Sequence, residues 1–134
     1  MNTKFKIKVG KSKIDGRGAF ADALIPTKRK IGELEGELIS VRKARQIAKQ
    51  NKRIAIVEFD NKLALHANDN NNSLRYVNHS CAPNTYMRIF GYHVEFYSLK
   101  RIKLGEELTC NYGETHHDGK LKCRCGAVGC VGAL

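Results

Sequence analysis

The stretch Asn78-His-Ser-Cys-Ala-Pro-Asn84 lies in the densest run of polar and turn-forming residues in the chain. Asn and Pro are common in turns, so one interpretation is an ordinary surface loop. A Cys near a His also suggests nucleophilic catalysis, but neighbours such as His79 and Cys81 rarely form a working pair. Neither interpretation accounts for the whole stretch.

Three other segments combine glycine with charged or hydroxyl residues. Gly105-Glu-Glu-Leu-Thr-Cys-Asn-Tyr112 follows the first stretch, and Gly36-Glu37 precedes it. Asp15-Gly-Arg-Gly18 near the N-terminus is typical of a tight turn, because both of its glycines are free to adopt positive φ. That freedom would let the backbone approach a ligand closely.

Three of the five cysteines, Cys123, Cys125 and Cys130, lie close together near the C-terminus. They could be buried thiols without a role, but such clustering is typical of a metal site. Structural zinc takes four thiolate or imidazole ligands. We therefore expect one structural zinc ion with a fourth ligand from elsewhere, which the spacing alone does not choose. The candidates for that ligand are Cys81, Cys110, His116 and His117.

These segments resemble the motifs of SET-domain protein lysine methyltransferases. The family has an Asn-His-Ser-Cys-x-Pro-Asn motif, similar to residues 78–84, and a Gly-Glu-Glu-Leu-Thr-x-Asp-Tyr motif, similar to residues 105–112. Residues 15–18, residues 36–37 and the cysteine cluster resemble its Gly-x-Gly turn, Gly-Glu pair and post-SET Cys-x-Cys-x4-Cys pattern. The five matches occur in the family's order along nearly the whole chain.

The resemblance implies a fold that is mainly β with few short helices. In this SET-type β-clip fold, small curved sheets surround a knot-like crossing of the two C-terminal motifs. Residues 1–115 would form the SET domain and residues 116–134 a post-SET zinc-binding tail. The cofactor would lie on one face and the peptide on the other, joined by a narrow channel.

The resemblance also implies roles for individual residues. Tyr112 would be the catalytic tyrosine. The residues that would hold S-adenosylmethionine are Gly16, Arg17, Gly18, Arg75, Asn78 and His79. Those that would border the lysine channel are Leu34, Tyr97 and Cys110. The zinc ligands would be Cys81, Cys123, Cys125 and Cys130.

The chemistry of methyl transfer suits these residue types. The lysine amine must be neutral to attack, yet the pKa of free lysine is about 10.4. A dry channel beside a cationic sulfonium disfavours the ammonium form through desolvation and charge repulsion. A tyrosine hydroxyl can then contribute by aligning the amine with the methyl group, without a strong base.

Three positions depart from the family pattern. Leu34 stands where a tyrosine is common, so one channel wall would lack a hydroxyl. Cys110 replaces a Phe or Tyr that limits the number of methyl groups added, so we expect room for di- or trimethylation. With zinc bound elsewhere, we expect its thiol to be buried and inert. Asn111 replaces the usual Asp beside Tyr112.

The polar and apolar pattern predicts several short strands and one helix. The helix is predicted from residue 41 to about 51, with Ser40 as its N-cap. Strands are predicted at 4–9, 92–99 and 108–112, and residues 53–59 and 62–66 are predicted to form a hairpin. A further strand around 34–39 would project the acidic residues Glu33, Glu35 and Glu37 to one side. They would form a solvated face or attract a basic peptide.

The net charge is +11, from 24 Lys and Arg against 13 Asp and Glu. This excess indicates either a well-solvated surface or affinity for a polyanion such as nucleic acid. A histone-like basic substrate would be repelled overall unless acidic residues or shared nucleic acid brought it close. We find neither a signal-peptide pattern nor the roughly 20 apolar residues that span a membrane. We therefore expect a cytoplasmic or nuclear protein, or a host-nuclear one if it is a secreted effector, with no membrane partner.

Two alternatives to an enzyme remain at this stage. The chain could be a catalytically idle SET-like module that binds basic peptide or nucleic acid. It could also be a zinc ribbon whose thiolates organise a basic surface for DNA, which predicts salt-sensitive DNA binding without affinity for a methyl donor.

Overall fold

The computed structural model describes residues 3–14, 16–50, 55–60, 62–67 and 73–111. Within these ranges there is one α-helix, α1 (Val41–Gln50), and one 3₁₀ turn (Ser73–Tyr76). The strands are short: β1 (Ile7–Lys11), β2 (Arg17–Ala21), β3 (Lys30–Leu34), β4 (Glu37–Ser40), β5 (Ile56–Glu58), β6 (Leu63–His66), β7 (Asn78–His79), β8 (Thr85–Phe90), β9 (His93–Ser98) and β10 (Thr109–Cys110). This composition confirms the predicted mainly β fold class.

The strands form four small sheets. Two are three-stranded, with the orders β3-β9-β8 and β4-β6-β5, and β1 pairs with β2 as a hairpin. The fourth sheet differs because β7 and β10 are parallel, with Thr109 opposite Asn78 and Cys110 opposite His79. This pairing places the two C-terminal motifs side by side, although they are far apart in sequence.

The larger hydrophobic core lies where β1–β3, β6 and β9 meet the 3₁₀ turn and the segment before β10. Its members are apolar side chains from many short elements, so no single strand is stable without its neighbours. The fully buried large side chains are Ile25, Ile31, Leu74, Val94, Ile102 and Leu108.

Helix α1 covers a second, smaller core. Ser40 caps it as predicted, because its Oγ accepts a hydrogen bond of 3.1 Å from the Lys43 N–H. Val41 and Ala44 are buried against Ile39 and Ala64 of the β4-β6-β5 sheet. The opposite side of the helix therefore faces outward. Among the described residues, no helix is long and apolar enough to cross a membrane.

The prediction of one strand around residues 34–39 is wrong. β3 ends at Leu34 and β4 begins at Glu37, and these strands belong to different sheets. Gly36 lies between them, where a β-carbon would be 2.7 Å from the carbonyl carbon of His66. Because His66 contributes backbone atoms here, a change of side-chain rotamer cannot relieve the clash, and only glycine fits between β3 and β4.

The three acidic residues predicted to share one strand face therefore lie on different elements. Glu33 is in β3, and its Oε1 lies 2.6 Å from Nδ1 of His93. Glu37 is in β4, and Glu35 lies in the connection.

Other element predictions were closer. The β5–β6 hairpin, α1 and β9 are confirmed. β1 begins at Ile7, later than predicted, because the Lys4 N–H instead donates to the carbonyl of Ile31 at 2.7 Å. β8 was not predicted, although Thr85-Tyr-Met-Arg-Ile-Phe90 is rich in β-branched and aromatic residues.

Candidate cofactor and substrate site

In the glycine turn before β2, the positive φ that the sequence allowed at both glycines is present at Gly16 but not at Gly18. Gly16 has φ of +45°, and its carbonyl accepts a hydrogen bond of 2.8 Å from the Ser12 N–H. Gly16 and Arg17 are exposed, so this turn lies at the surface. Gly18 is not among the described positive-φ residues and is buried in β2. Glycine is therefore required at position 18 because a side chain would clash with Glu107, and not because of its backbone φ.

Asn78 joins this turn to the Gly-Glu-Glu segment of residues 105–112. It is buried in β7, and its Nδ2 lies 3.1 Å from the Arg17 carbonyl oxygen and 3.2 Å from Ser12 Oγ. The same nitrogen lies 3.1 Å from Oε2 of Glu107, which belongs to that segment. Three of the segments that resemble family motifs therefore meet at a single amide group.

Glu107 is a site residue that sequence reasoning missed. Ser12 Oγ lies 2.9 Å and 2.8 Å from its two carboxylate oxygens, and Glu107 forms an isolated antiparallel bridge with Phe20. Its carboxylate thus connects Ser12 with Asn78, and its backbone pairs with β2. The available signal was its place in the Gly-Glu-Glu motif, whereas nothing in the sequence distinguished Ser12.

His79 lies next to Asn78 and is also buried. Desolvation lowers the pKa of His79, so its imidazole is neutral at neutral pH. Its Nε2 lies 3.5 Å from Sγ of Cys81, which is half-buried in the loop after β7.

Arg75 lies in the 3₁₀ turn, three residues before Asn78. Its guanidinium stacks on the ring of Tyr76, with 5.1 Å between Cζ and the ring centroid. The 3₁₀ turn packs against β1, β2 and β3. Arg75 therefore lies on an element that touches the strand following the glycine turn, and its role at the cofactor stays a prediction.

The structure does not bring the three predicted channel residues together. Leu34 is buried opposite Val94 in the β3–β9 pair, within the same core as Cys110. Tyr97 lies three positions beyond Val94 along β9, so it projects from the other face of the sheet. There its ring stacks on Tyr86, with centroids 5.5 Å apart. The channel role of Tyr97 gains no support from this arrangement.

Cys110 is buried, with 1% of its surface exposed. Burial raises the pKa of its thiol to about 12, so the sulfur is protonated at neutral pH. The expectation of a buried thiol is confirmed, and its inertness stays a prediction.

The described residues stop one position before the predicted catalytic tyrosine. Tyr112 and the predicted zinc ligands Cys123, Cys125 and Cys130 lie outside them, so these assignments remain predictions. Asn111 is the last described residue and is exposed. Within the described ranges there is no group of three or more side chains that could hold a metal ion.

Comparison with known proteins agrees with the arrangement of the motifs. The family model described as "SET domain" matches residues 16–113, which include the glycine turn, β7 and the Gly-Glu-Glu segment. The chain belongs to the SET-domain family. In this SET domain, the residues that Asn78 connects all lie within the matched region, except Ser12.

Several curated relatives match nearly the whole chain. The histone-lysine N-methyltransferase trithorax of Drosophila virilis is 33% identical over 91% of this chain. The histone-lysine N-methyltransferase set-2 of Caenorhabditis elegans is 34% identical over 98% of it. The Schizosaccharomyces pombe histone-lysine N-methyltransferase, H3 lysine-4 specific, is 33% identical over 98%. The matched regions are only 3%, 9% and 15% of these relatives' own lengths.

Proposed function

We propose that this SET domain transfers a methyl group from S-adenosylmethionine to the side-chain nitrogen of a lysine in a protein. The observation that carries the proposal is the convergence at Asn78, whose amide contacts both the Arg17 carbonyl and the Glu107 carboxylate. The relatives are named histone-lysine N-methyltransferases, which supports the same reaction.

The residues predicted to hold the methyl donor fit that task chemically. Gly16 and Arg17 lie exposed in the turn, where the missing side chain of glycine would let a ligand approach closely. Asn78 and His79 are buried and uncharged, and Asn78 contacts the turn at the Arg17 carbonyl. When bound, the donor supplies an activated methyl group on a positively charged sulfur. A neutral imidazole adds no repulsion toward that charge.

Substrate activation would fall to the lysine channel and Tyr112. A channel that excludes water favours the neutral amine, and the tyrosine hydroxyl would align it with the methyl carbon. Cys110 is smaller than the Phe or Tyr of the family pattern, and its protonated thiol does not compete as a nucleophile. We infer that the channel has room for di- or trimethylation.

One structural zinc ion would tie the segment from residue 116 onward to the site. Cys81 fits as a ligand because its half-buried thiol lies in the loop that directly follows β7, next to the proposed site. Four thiolates are a common donor set for structural zinc. Metal analysis should give about one zinc per chain, lost with Cys125→Ser. A metal-free protein with full activity would contradict this assignment.

The substrate we propose is a basic, histone-like protein, as the names of the relatives suggest. A nuclear or chromatin-associated location would follow. The charge of +11 favours nearness to nucleic acid, which would offset the repulsion between a basic enzyme and a basic substrate.

The direct test is methyl transfer from labelled S-adenosylmethionine to a mixture of basic proteins and histone tail peptides. We expect label on lysine with the intact chain, and a loss of at least a hundredfold with Tyr112→Phe. Tyr92→Phe is the matched control because Tyr92 is exposed on the β8–β9 connection. Saturable peptide or DNA binding without any transfer would instead support an idle module.

A further inference from the structure

The outward side of α1 is strongly basic. Four of its ten residues are Lys or Arg, and none is acidic. Val41 and Ala44 make the buried contacts between the helix and the sheet, so the Lys and Arg side chains are not needed to hold the helix in place. The charged residues of the helix are Arg42, Lys43, Arg45 and Lys49.

Three of the four cations line up along the helix. Arg42, Arg45 and Lys49 are spaced i, i+3 and i+7, so they lie on one face, and all three are exposed. At about 1.5 Å per residue this row is roughly 10 Å long. With Val41 and Gln46 they line a shallow depression along the helix. We call Arg42, Arg45 and Lys49 the α1 basic row.

Within the described ranges, most of this charge has no ion-pair partner. In the described part of the chain, Arg45 is the only one of the four helix cations with an ion pair, at 3.2 Å from Glu58. Lys62 adds a further exposed cation beside the start of the helix, since its carbonyl accepts the Val41 N–H at 2.9 Å. The surface therefore repels a basic peptide and attracts an anion.

The length of the row suits a regular polyanion. Each strand of duplex DNA carries one phosphate per about 3.4 Å of helix axis, so a 10 Å row aligned with that axis covers the rise of about three phosphates. Arginine side chains and the Gln46 amide can donate to phosphate oxygens. The row carries no aromatic side chain that could stack on an exposed base.

We propose that the α1 basic row binds the phosphate backbone of duplex DNA without reading its sequence. Binding itself is independent of the proposed catalysis. Its use rests on the proposed function: a basic enzyme and a basic substrate protein on the same DNA would meet despite their repulsion.

The experiment compares two triple variants of the full chain that remove the same charge. One is Arg42→Gln, Arg45→Gln and Lys49→Gln, which removes the charge of the α1 basic row. The control is Lys4→Gln, Lys6→Gln and Lys8→Gln, three exposed positions in and before β1. Binding to a fluorescent duplex would be measured by anisotropy at several salt concentrations, with circular dichroism to confirm folding.

We expect the helix variant to bind DNA at least tenfold more weakly than the control variant. The slope of log affinity against log salt is negative, and its magnitude should decrease by about 2 to 3 because roughly three phosphate contacts are lost. Equal losses in both variants would show that net charge alone attracts DNA and would overturn the proposal. Absence of DNA binding by the unmodified chain would overturn it as well.

Methylation assays separate this proposal from the proposed function. With a free peptide, the helix variant should be as active as the unmodified chain, because α1 packs on the β4-β6-β5 sheet rather than on the Asn78 network. With a DNA-bound substrate protein, its activity should fall. An inactive unmodified chain that still binds DNA through α1 would contradict only the enzymatic proposal.

Discussion

The side chain of Glu107 fills the space beside Gly18. A β-carbon on Gly18 would lie 2.9 Å from Cδ of Glu107 and 3.1 Å from Cβ of Ser12. Both neighbours are held in place, because Ser12 Oγ donates to the Glu107 carboxylate, which also accepts from Asn78. The second glycine of the turn is thus coupled to a residue 89 positions later in the sequence.

Gly18→Ala should displace this carboxylate and the turn together. We expect a loss of about 1–3 kcal/mol in the free energy of unfolding, as for other overpacked sites. Affinity for S-adenosylmethionine should fall at least tenfold. Denaturant titration and calorimetric binding would measure the two effects.

Gly10→Ala is the matched control, because Gly10 lies directly opposite Gly18 in the β1–β2 pair. A β-carbon there would meet Phe20 at 3.6 Å, an ordinary contact. Equal losses in the two variants would contradict a specific role for the space beside Gly18.

Glu107→Gln should weaken the same network without changing its volume. An amide has one accepting oxygen, so the donors from Ser12 and Asn78 can no longer each meet a carboxylate oxygen. We expect about 1–3 kcal/mol of destabilisation, since hydrogen bonds to charged groups are involved. Urea unfolding would measure it. The exposed Glu37→Gln should change stability by less than about 0.5 kcal/mol, and a similar effect in both would refute the argument.

Sequence reasoning succeeded where a local signal was strong. Ser40 has the side chain of an N-cap, and the motif around Asn78 carries several functional residues in a few positions. It failed around Gly36, because the obstacle there is the backbone of His66, which only the folded chain brings close. Hydrophobic alternation cannot report that contact.

The candidate site shows the same limit. The membership of Asn78 in a site followed from its motif, but its partners Ser12 and Glu107 depend on distances that no spacing rule encodes. The two faces of β9 explain the separation of Leu34 from Tyr97, which a motif comparison does not resolve.

The thiol of Cys110 should be unreactive in the folded protein. Burial raises its pKa to about 12, so almost no thiolate is present at pH 8. Iodoacetamide labelling followed by peptide mass spectrometry should leave Cys110 unmodified until denaturant is added. Labelling of Cys110 in the native state at the rate of a free thiol would contradict this expectation.

Stability should depend on pH through Glu95. A hydrogen bond from Lys30 lowers the pKa of Glu95, and the positive charges of Lys30 and Arg88 act in the same direction. A lowered carboxyl pKa adds stability above the unfolded value, near 4.5, and this stability is lost as the pH falls through the folded pKa. Glu95→Gln should therefore be less stable than the unmodified chain at pH 7.

The difference should shrink as the pH approaches 3, and thermal unfolding at several pH values would measure it. Glu37→Gln serves again as a control that should show no such trend. A constant difference between Glu95→Gln and the unmodified chain from pH 7 to pH 3 would exclude the Lys30–Glu95 contact as its source.

The most direct test of the central claim is an NMR titration of the labelled protein with S-adenosylmethionine. If the glycine turn and β7 form one cofactor site, the backbone amides of Gly16, Arg17, Asn78 and His79 should shift together with one dissociation constant. The amides of α1 should stay in place. Saturable binding that leaves all four amides unchanged, or no binding at millimolar donor, would contradict the account.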